Sequence, residues 1–109
     1  MVITLGTGFG SAFLQNGVPV VTGKTVPLNG CVWHLPFQQG IADDYFSTRW
    51  FVTEYEKMSG KKMNGVKSIA KCAKNDLSAQ SLFDLFGHNL AAFLVHHLKQ
   101  QHIFRTRYA

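Results

Sequence analysis

The sequence predicts an α/β protein in which an antiparallel β-hairpin or meander precedes three helices. β-rich stretches separated by glycine and Asn-Gly turns fill residues 1–21, an interrupted segment covers 22–41, and apolar residues recur at helical spacing beyond it. A chain of 109 residues has room for one domain at most. Its apolar share of 46% beside a charged share of 16% excludes a disordered chain.

The first part of the chain is expected to form short strands. Val2–Leu5 is rich in β-formers, a glycine cluster follows, and an extended pattern resumes over residues 11–14. Asn16-Gly17 is the strongest short hairpin signal, and it precedes a third apolar stretch. Because Pro19 cannot donate a ladder hydrogen bond, we expect that third stretch at a sheet edge.

The segment from residue 22 to residue 41 has the composition of a loop. Glycine, proline and asparagine interrupt it too often for a regular element. An apolar run over residues 31–37 passes through its centre, and long loops with apolar content of their own are commonly folded and functional.

Three helices are expected after this loop. The first is capped by Asp43 or Asp44 and ended by Gly60, and the second begins near Val66. The third has the clearest apolar periodicity, and we expect Ser78 to cap it.

The third helix is expected to run to about residue 102, and its Gly87 indicates close packing against a neighbouring element. The tail beyond it has no strand partner or cap. The predicted division of the chain is a hairpin segment over 1–21, a loop over 22–41, a helical part over 42–102 and a tail over 103–109.

The cysteine count and the hydropathy pattern exclude several classes of protein. Cys31 and Cys72 have no CxxC spacing and no neighbouring histidine pair, so a zinc site or a disulfide framework is not expected. No secretory signal and no apolar run of membrane-spanning length is visible. A reducing, cytoplasmic setting is therefore expected, without membrane association.

The formal net charge of +5 comes mostly from lysines between residues 57 and 74. A solvated helix face explains such a cluster. A nucleic-acid surface would add arginines and exposed aromatic side chains among the lysines, and this stretch has neither. Nucleic acid is therefore not an expected partner of this segment.

The glycine cluster Gly6-Thr7-Gly8-Phe9-Gly10 has two explanations. A strand-loop-strand arrangement can present consecutive backbone N–H groups and a threonine hydroxyl to a phosphate oxygen. Alternatively, the glycines serve a tight β-turn through their freedom at positive φ. The loop is neither a Walker A loop nor a dinucleotide fingerprint, since both of those lead into a helix.

The histidines offer one candidate ligand. His34 lies beside Trp33 in the folded loop, where it could contact a sugar or anchor the loop. His96, His97 and His102 invite a metal interpretation, but adjacent helical residues point about 100° apart, so packing or favourable interaction with the helix dipole explains them better.

Asp43 and Asp44 could form an acid/base or metal pair, although a helix cap and a first-turn acid explain them more simply. The spacing supports no Ser/His/Asp or Cys/His arrangement. The residues thus offer a candidate phosphate loop and one candidate ligand, but no catalytic set and no metal site.

Three stretches in order resemble the ROK family of repressors and sugar kinases, a branch of the actin-like ATPase superfamily. "ITLGTGFGSAFLQNGVPV" is similar to that family's second phosphate loop, and "GIADDYFSTRWFVTEYEKMSG" to the helix after its sugar loop. "SAQSLFDLFGHNLAAFLVHHLKQ" is similar to the long helix further on. The resemblance implies part of an actin-like, ribonuclease H-like ATPase domain, which as a fragment would appear as α+β.

The resemblance also implies which residues bind ligands. The family's ligands would be ATP with Mg²⁺ and a sugar. His34 matches the histidine of a Glu-x-Gly-His sugar motif, whereas Cys31 stands where the family has glutamate, which departs from ordinary glucose recognition. The residues expected to contact the transferred phosphate are Gly6, Thr7, Gly8 and Gly10.

We therefore expect a partial C-terminal domain of a glucokinase-like sugar kinase that is inactive in isolation, since the family's first phosphate loop and its catalytic aspartate have no match here. A sugar-sensing transcriptional regulator without kinase activity and a standalone interaction module are the alternatives. Surplus apolar surface favours a homo-oligomer.

Overall fold

The computed structural model describes residues 1–23 and 26–100. The predicted tail over 103–109 and the end of the third predicted helix lie outside the described residues. The strands are β1 (Val2–Leu5), β2 (Phe9–Ala12), β3 (Leu14–Gln15), β4 (Val18–Pro19), β5 (Pro36–Phe37) and β6 (Gly40–Ile41). The helices are α1 (Ala42–Tyr45), α2 (Thr48–Ser59), α3 (Val66–Cys72) and α4 (Leu77–Leu94), with a 3₁₀ turn at Leu28–Gly30 and a π-helical turn at Val95–Gln100.

The predicted hairpins are present. β1 and β2 are antiparallel, with Leu5 opposite Phe9. The second strand begins earlier than expected because Phe9 turns into the core, where only 3% of its surface is exposed. Asn16 and Gly17 both have positive φ, 53° and 79°, as the type I′ turn between β3 and β4 requires.

The interrupted segment contains folded structure, as its apolar content predicted. β5 and β6 form a third antiparallel hairpin. The segment is tied to the first hairpin because the amide of Val32 donates a hydrogen bond to Ser11 Oγ at 3.1 Å.

The predicted first helix is two helices, because the chain leaves helical geometry at Phe46 and Ser47 and the second helix begins at Thr48. Ser47 caps α2 by accepting a hydrogen bond from the Trp50 amide at 3.3 Å. Asp43 and Asp44 therefore lie within the first turn of α1 and do not cap the long helix. The predicted stop at Gly60 is confirmed, since its φ of 74° is the left-handed conformation of a helix end.

The last helix differs from its prediction at two points. Its N-cap is Asp76 and not Ser78, because Asp76 Oδ1 accepts the hydrogen bond from the Ser78 amide at 2.9 Å. Gly87 does not mark close packing, since a Cβ at this position would meet no described atom within 4 Å. α3 begins at Val66 as predicted.

The core consists of two neighbouring groups of buried side chains. One lies where the hairpins meet α1 and the end of α4, and the other lies among α2, α3 and the start of α4. Phe86 packs against both groups and joins them. The first contains Phe9, Phe13, Val26, Val32, Ala42, Phe46 and Phe93, and the second contains Trp50, Phe51, Tyr55, Ile69, Ala79 and Leu82.

The predicted fold class is confirmed: within the described residues, small antiparallel strand pairs combine with four α-helices in a mixed α/β arrangement. Of the helices in the described ranges, none is both long enough and apolar enough to cross a membrane.

Candidate functional site

The glycine loop, residues 6–10, forms one wall of an open cleft of about 530 Å³. The loop connects β1 to β2 and includes the start of β2. Asp43, in the first turn of α1, and Trp33 form the rest of the wall. The lining residues are Thr4, Leu5, Gly6, Thr7, Gly8, Phe9, Gly10, Trp33 and Asp43, so all four residues predicted to contact phosphate lie in one cleft.

Two glycines of this loop, Gly8 and Gly10, allow a neighbouring side chain to approach the backbone closely. None of Gly6, Gly8 and Gly10 has φ in the left-handed region. The explanation that these glycines form a tight turn through positive φ is therefore wrong. A Cβ at Gly8 would lie 2.9 Å from Asp43 Oδ1, and a Cβ at Gly10 would collide with Thr4 Oγ1 on the paired strand. At Gly6 a Cβ would meet no atom of the described residues within 4 Å.

The tip of the loop has backbone donors that other described residues do not use. The Gly6 amide donates to the Gly8 carbonyl at 3.2 Å, and the Phe9 amide donates to Asp43. The amides of Thr7 and Gly8 donate to no residue within the described ranges. Two adjacent N–H groups beside an exposed threonine hydroxyl are suited to an anionic oxygen.

Two side chains from the helical part hold the ends of the loop. Asp43 Oδ1 accepts the hydrogen bond of the Phe9 amide at 2.8 Å. Thr48 donates to the Gly6 carbonyl twice, from its Oγ1 at 2.9 Å and from its amide at 3.2 Å. The loop is therefore fixed against α1 and the first turn of α2.

The turn that carries His34 lies next to the cleft. The amide of Asp43 donates to the Trp33 carbonyl at 3.0 Å, which fixes the turn to α1. The Trp33 ring is 47% exposed and lines the cleft. His34 is half-buried with its ring centroid 5.5 Å from that of Trp33, and it is not among the described residues that line the cleft.

A second, apolar pocket of about 220 Å³ adjoins the cleft and shares Leu5 and Gly6 with it. Four phenylalanine rings contribute to its wall, one from α2, two from α4 and one from the break between α1 and α2. The remaining lining residues are Phe46, Ser47, Thr48, Phe51, Val66, Phe83 and Phe86.

The other candidate residues do not form a second site. Asp43 and Asp44 have different partners, since Asp44 accepts from the Ile41 amide and pairs with Arg49 at 3.1 Å. His97 is buried at 4% exposure and its Nε2 lies 3.2 Å from the Pro36 carbonyl oxygen, so it packs in the core. Within residues 1–23 and 26–100, no three His, Cys, Asp or Glu side chains are grouped closely enough to hold a metal ion.

Sequence reasoning missed how Asp43, Thr48 and Trp33 surround the glycine loop. Their contacts with it join residues 34 and 42 positions apart in the chain. Asp43, Asp44, Ser47 and Thr48 are residue types typical of helix starts. That local pattern gave no indication that Asp43 and Thr48 also contact the glycine loop.

The fold matches that of a glucokinase from Parabacteroides distasonis, with a TM-score of 0.76 and 24% sequence identity. The match covers 90% of this chain and 30% of the glucokinase chain, so the present chain spans about a third of the length of that protein. No protein-family model matches the sequence, and no curated protein matches it. The likeness to the glucokinase shows the fold.

Proposed function

We propose that this chain is part of a ROK-type sugar kinase, the glucokinase-like class that transfers the terminal phosphoryl group of ATP to a sugar hydroxyl. The observation that carries the proposal is the glycine loop, whose Thr7 and Gly8 amides line an open cleft without another described acceptor. The glucokinase fold around this loop supports the same conclusion.

The phosphate contacts proposed for the loop follow from its chemistry. Phosphoryl transfer depends mainly on positioning and on electrostatic stabilisation of the phosphate oxygens. Thr7 and Gly8 would supply N–H donors, and the Thr7 hydroxyl would supply another. Gly6 and Gly10 would let the backbone approach the phosphate without side chains in the way.

The adjoining apolar pocket suits the base of the nucleotide. It begins where the cleft ends, at Leu5 and Gly6, and its wall is largely aromatic. A planar base stacked among phenylalanine rings would leave the phosphates above the glycine loop. Mg²⁺ would accompany ATP through the phosphate oxygens and neutralise part of their charge.

The sugar would lie on the Trp33 side of the cleft. We assign His34 a hydrogen bond to a sugar hydroxyl, since a neutral imidazole offers both a donor and an acceptor. Cys31 stands at the position of the family's glutamate, so the sugar would differ from glucose or bind more weakly.

In this proposal the chain forms a single partial domain of a larger cytoplasmic kinase. The exposed apolar side chains of β1, Val2 at 48% and Leu5 at 50%, favour assembly into a homo-oligomer. Light scattering at high protein concentration would test this, and a clean monomer would contradict it.

The phosphate site can be tested by titrating the ¹⁵N-labelled chain with ATP and Mg²⁺. We expect the amide signals of Thr7 and Gly8 to shift most, and the signals of α3 to stay unchanged. Unchanged Thr7 and Gly8 signals at millimolar ATP would reject the phosphate role. A coupled assay with a panel of sugars should detect no product from the chain alone, because the family's catalytic aspartate, which would act as the general base, has no match in this sequence.

The replaced glutamate at Cys31 favours a second candidate, a sugar-sensing regulator without kinase activity. Such a protein would respond to a sugar at Trp33 and His34 but show no response to ATP at Thr7 and Gly8. Titrating the ¹⁵N-labelled chain with a panel of sugars as well as with ATP therefore separates the two functions. An interaction module would respond to neither ligand.

A further inference from the structure

Asp43 connects the two sides of the cleft. Its Oδ1 accepts the hydrogen bond of the Phe9 amide at 2.8 Å, and its own amide donates to the Trp33 carbonyl at 3.0 Å. One residue thus sets the position of the glycine loop relative to the turn that carries His34.

The side-chain contact also determines which loop amides remain available. The hydrogen bond to Asp43 occupies the Phe9 amide, while the neighbouring amides of Thr7 and Gly8 have no described acceptor. Because this bond joins residues 34 positions apart in the chain, it fixes Phe9 against α1.

Gly8 and Asp43 depend on each other. A Cβ at residue 8 would lie 2.9 Å from Asp43 Oδ1, closer than two such atoms approach in proteins. Glycine at this position therefore accommodates the carboxylate, and a side chain there would displace Asp43 from Phe9.

The Phe9 amide engages Oδ1 of Asp43, and Asp43 belongs to no group of three possible metal ligands within the described residues. We infer that Asp43 is a positioning residue for the phosphate loop: it orients the loop through Phe9 and aligns the loop with the Trp33–His34 turn. This inference rests on the proposed function, in that the aligned ligands are ATP and a sugar.

The test compares three variants of the whole chain. Asp43→Ala removes the acceptor, whereas Asp43→Asn retains an oxygen that can accept from Phe9. Asp44→Asn is the matched control, because it alters the adjacent carboxylate, which pairs with Arg49 and Ile41 outside the cleft. The two readouts are hydrogen exchange at the Phe9 amide and the affinity for ATP with Mg²⁺.

Asp43→Ala should expose the Phe9 amide to exchange and weaken ATP binding about tenfold, the upper end of the loss expected for one hydrogen bond. Asp43→Asn should restore most of both, and Asp44→Asn should change neither. Equal losses in Asp43→Asn and Asp43→Ala would overturn the inference, because charge and not the acceptor would then matter. Wild-type affinity in Asp43→Ala would overturn it as well.

Failure of the proposed function and failure of this inference give different experimental results. If the wild-type chain does not bind ATP, the kinase proposal fails, and Phe9 exchange still decides whether Asp43 fixes the loop. If Asp43→Ala does not fold, a substitution at Gly8 tests the inference instead, because a side chain there would displace Asp43. Gly8→Ala should then speed Phe9 exchange as much as loss of the Asp43 contact would, and unchanged exchange would overturn the inference.

Discussion

The hydroxyl of Tyr55 donates a hydrogen bond to the carboxylate of Asp76, 21 residues further along the chain. Tyr55 is fully buried in α2, and Asp76 is the N-cap of α4. The bond therefore joins the middle of one helix to the start of another. It raises the pKa of Tyr55 above its usual value and lowers that of Asp76, to which the Ser78 amide also donates.

Tyr55→Phe should destabilise the chain, because it leaves Asp76 with one hydrogen bond fewer while keeping the ring in the core. The loss should appear as a lower urea midpoint at pH 7. Tyr45→Phe is the control, since the Tyr45 hydroxyl accepts only a longer bond, 3.3 Å, from the exposed Gln39 amide. An equal loss in both variants would contradict a special role for the Asp76 contact.

The same contact predicts a dependence on acid. Because the pKa of Asp76 is lowered in the folded state, its contribution to stability is present above the unfolded pKa of about 3.9 and is lost as the pH falls through the folded value. The difference in stability between wild type and Tyr55→Phe should therefore shrink below about pH 4. A difference that stays constant from pH 7 to pH 3 would rule out this linkage.

His97 predicts a second pH dependence, in a higher range. Burial lowers its pKa, although its hydrogen bond to the Pro36 carbonyl opposes the shift, and the nearby His96 lowers it further. The unfolded chain then binds the proton more readily, so stability should fall as the pH drops below the unfolded histidine value of about 6.5. Urea midpoints at pH 8 and pH 5.5 measure the effect.

His97→Gln should reduce that decline. His88→Gln, which removes an exposed histidine from α4, is the control and should keep the wild-type decline. If both variants decline as the wild type does, His97 is not its source.

Local signals predicted the elements that depend on adjacent residues. The Asn16-Gly17 turn was predictable because two residues in sequence adopt the positive φ values that the turn needs. The break between α1 and α2 was not, because the apolar spacing continues through Phe46 and hides the cap at Ser47. Helical periodicity indicates which side of a helix faces the core, but it does not indicate where one helix ends and the next begins.

The loop of the candidate site was predictable from the sequence, but the residues that surround the loop were not. The glycine cluster identified residues that the structure brings to one cleft. The partners that fix the loop, Asp43 and Thr48, lie 34 and 42 residues from their contacts. Each has a sufficient local explanation as a residue near a helix start, so one sequence offers no reason to connect it with the loop.

Two glycines give opposite predictions for the same substitution. Gly60→Ala should cost about 1 kcal/mol, because Gly60 ends α2 at a φ of 74° that an alanine adopts with strain. Gly87→Ala should stabilise the chain by up to about 1 kcal/mol, because its helical position has open space for a methyl group. Thermal denaturation measures both, and destabilisation by Gly87→Ala would indicate a contact beyond the described residues.

Phe46 belongs to the first core group, lines the apolar pocket and contacts Phe86, which joins the two groups. Its ring is fully buried and contacts Phe9 at a centroid distance of 5.1 Å and Phe93 at 5.4 Å. Phe46→Ala should therefore cost about 3–5 kcal/mol in the free energy of unfolding. Leu85→Ala, at a position 46% exposed on α4, should cost no more than about 0.5 kcal/mol, and comparable losses would contradict this placement of the core.

Gly10→Ala tests why the glycine loop contains glycine. Thr4 lies opposite Gly10 in the β1–β2 register, and its hydroxyl occupies the space that a Cβ at residue 10 would need. Because a β-branched side chain has few alternative rotamers, the clash should cost about 1–3 kcal/mol in the free energy of unfolding. Gly6→Ala is the matched control with open space at its Cβ, and it should be nearly neutral. Adding Thr4→Ala to Gly10→Ala should recover most of the loss, and a double variant as unstable as Gly10→Ala alone would show that another requirement keeps glycine there.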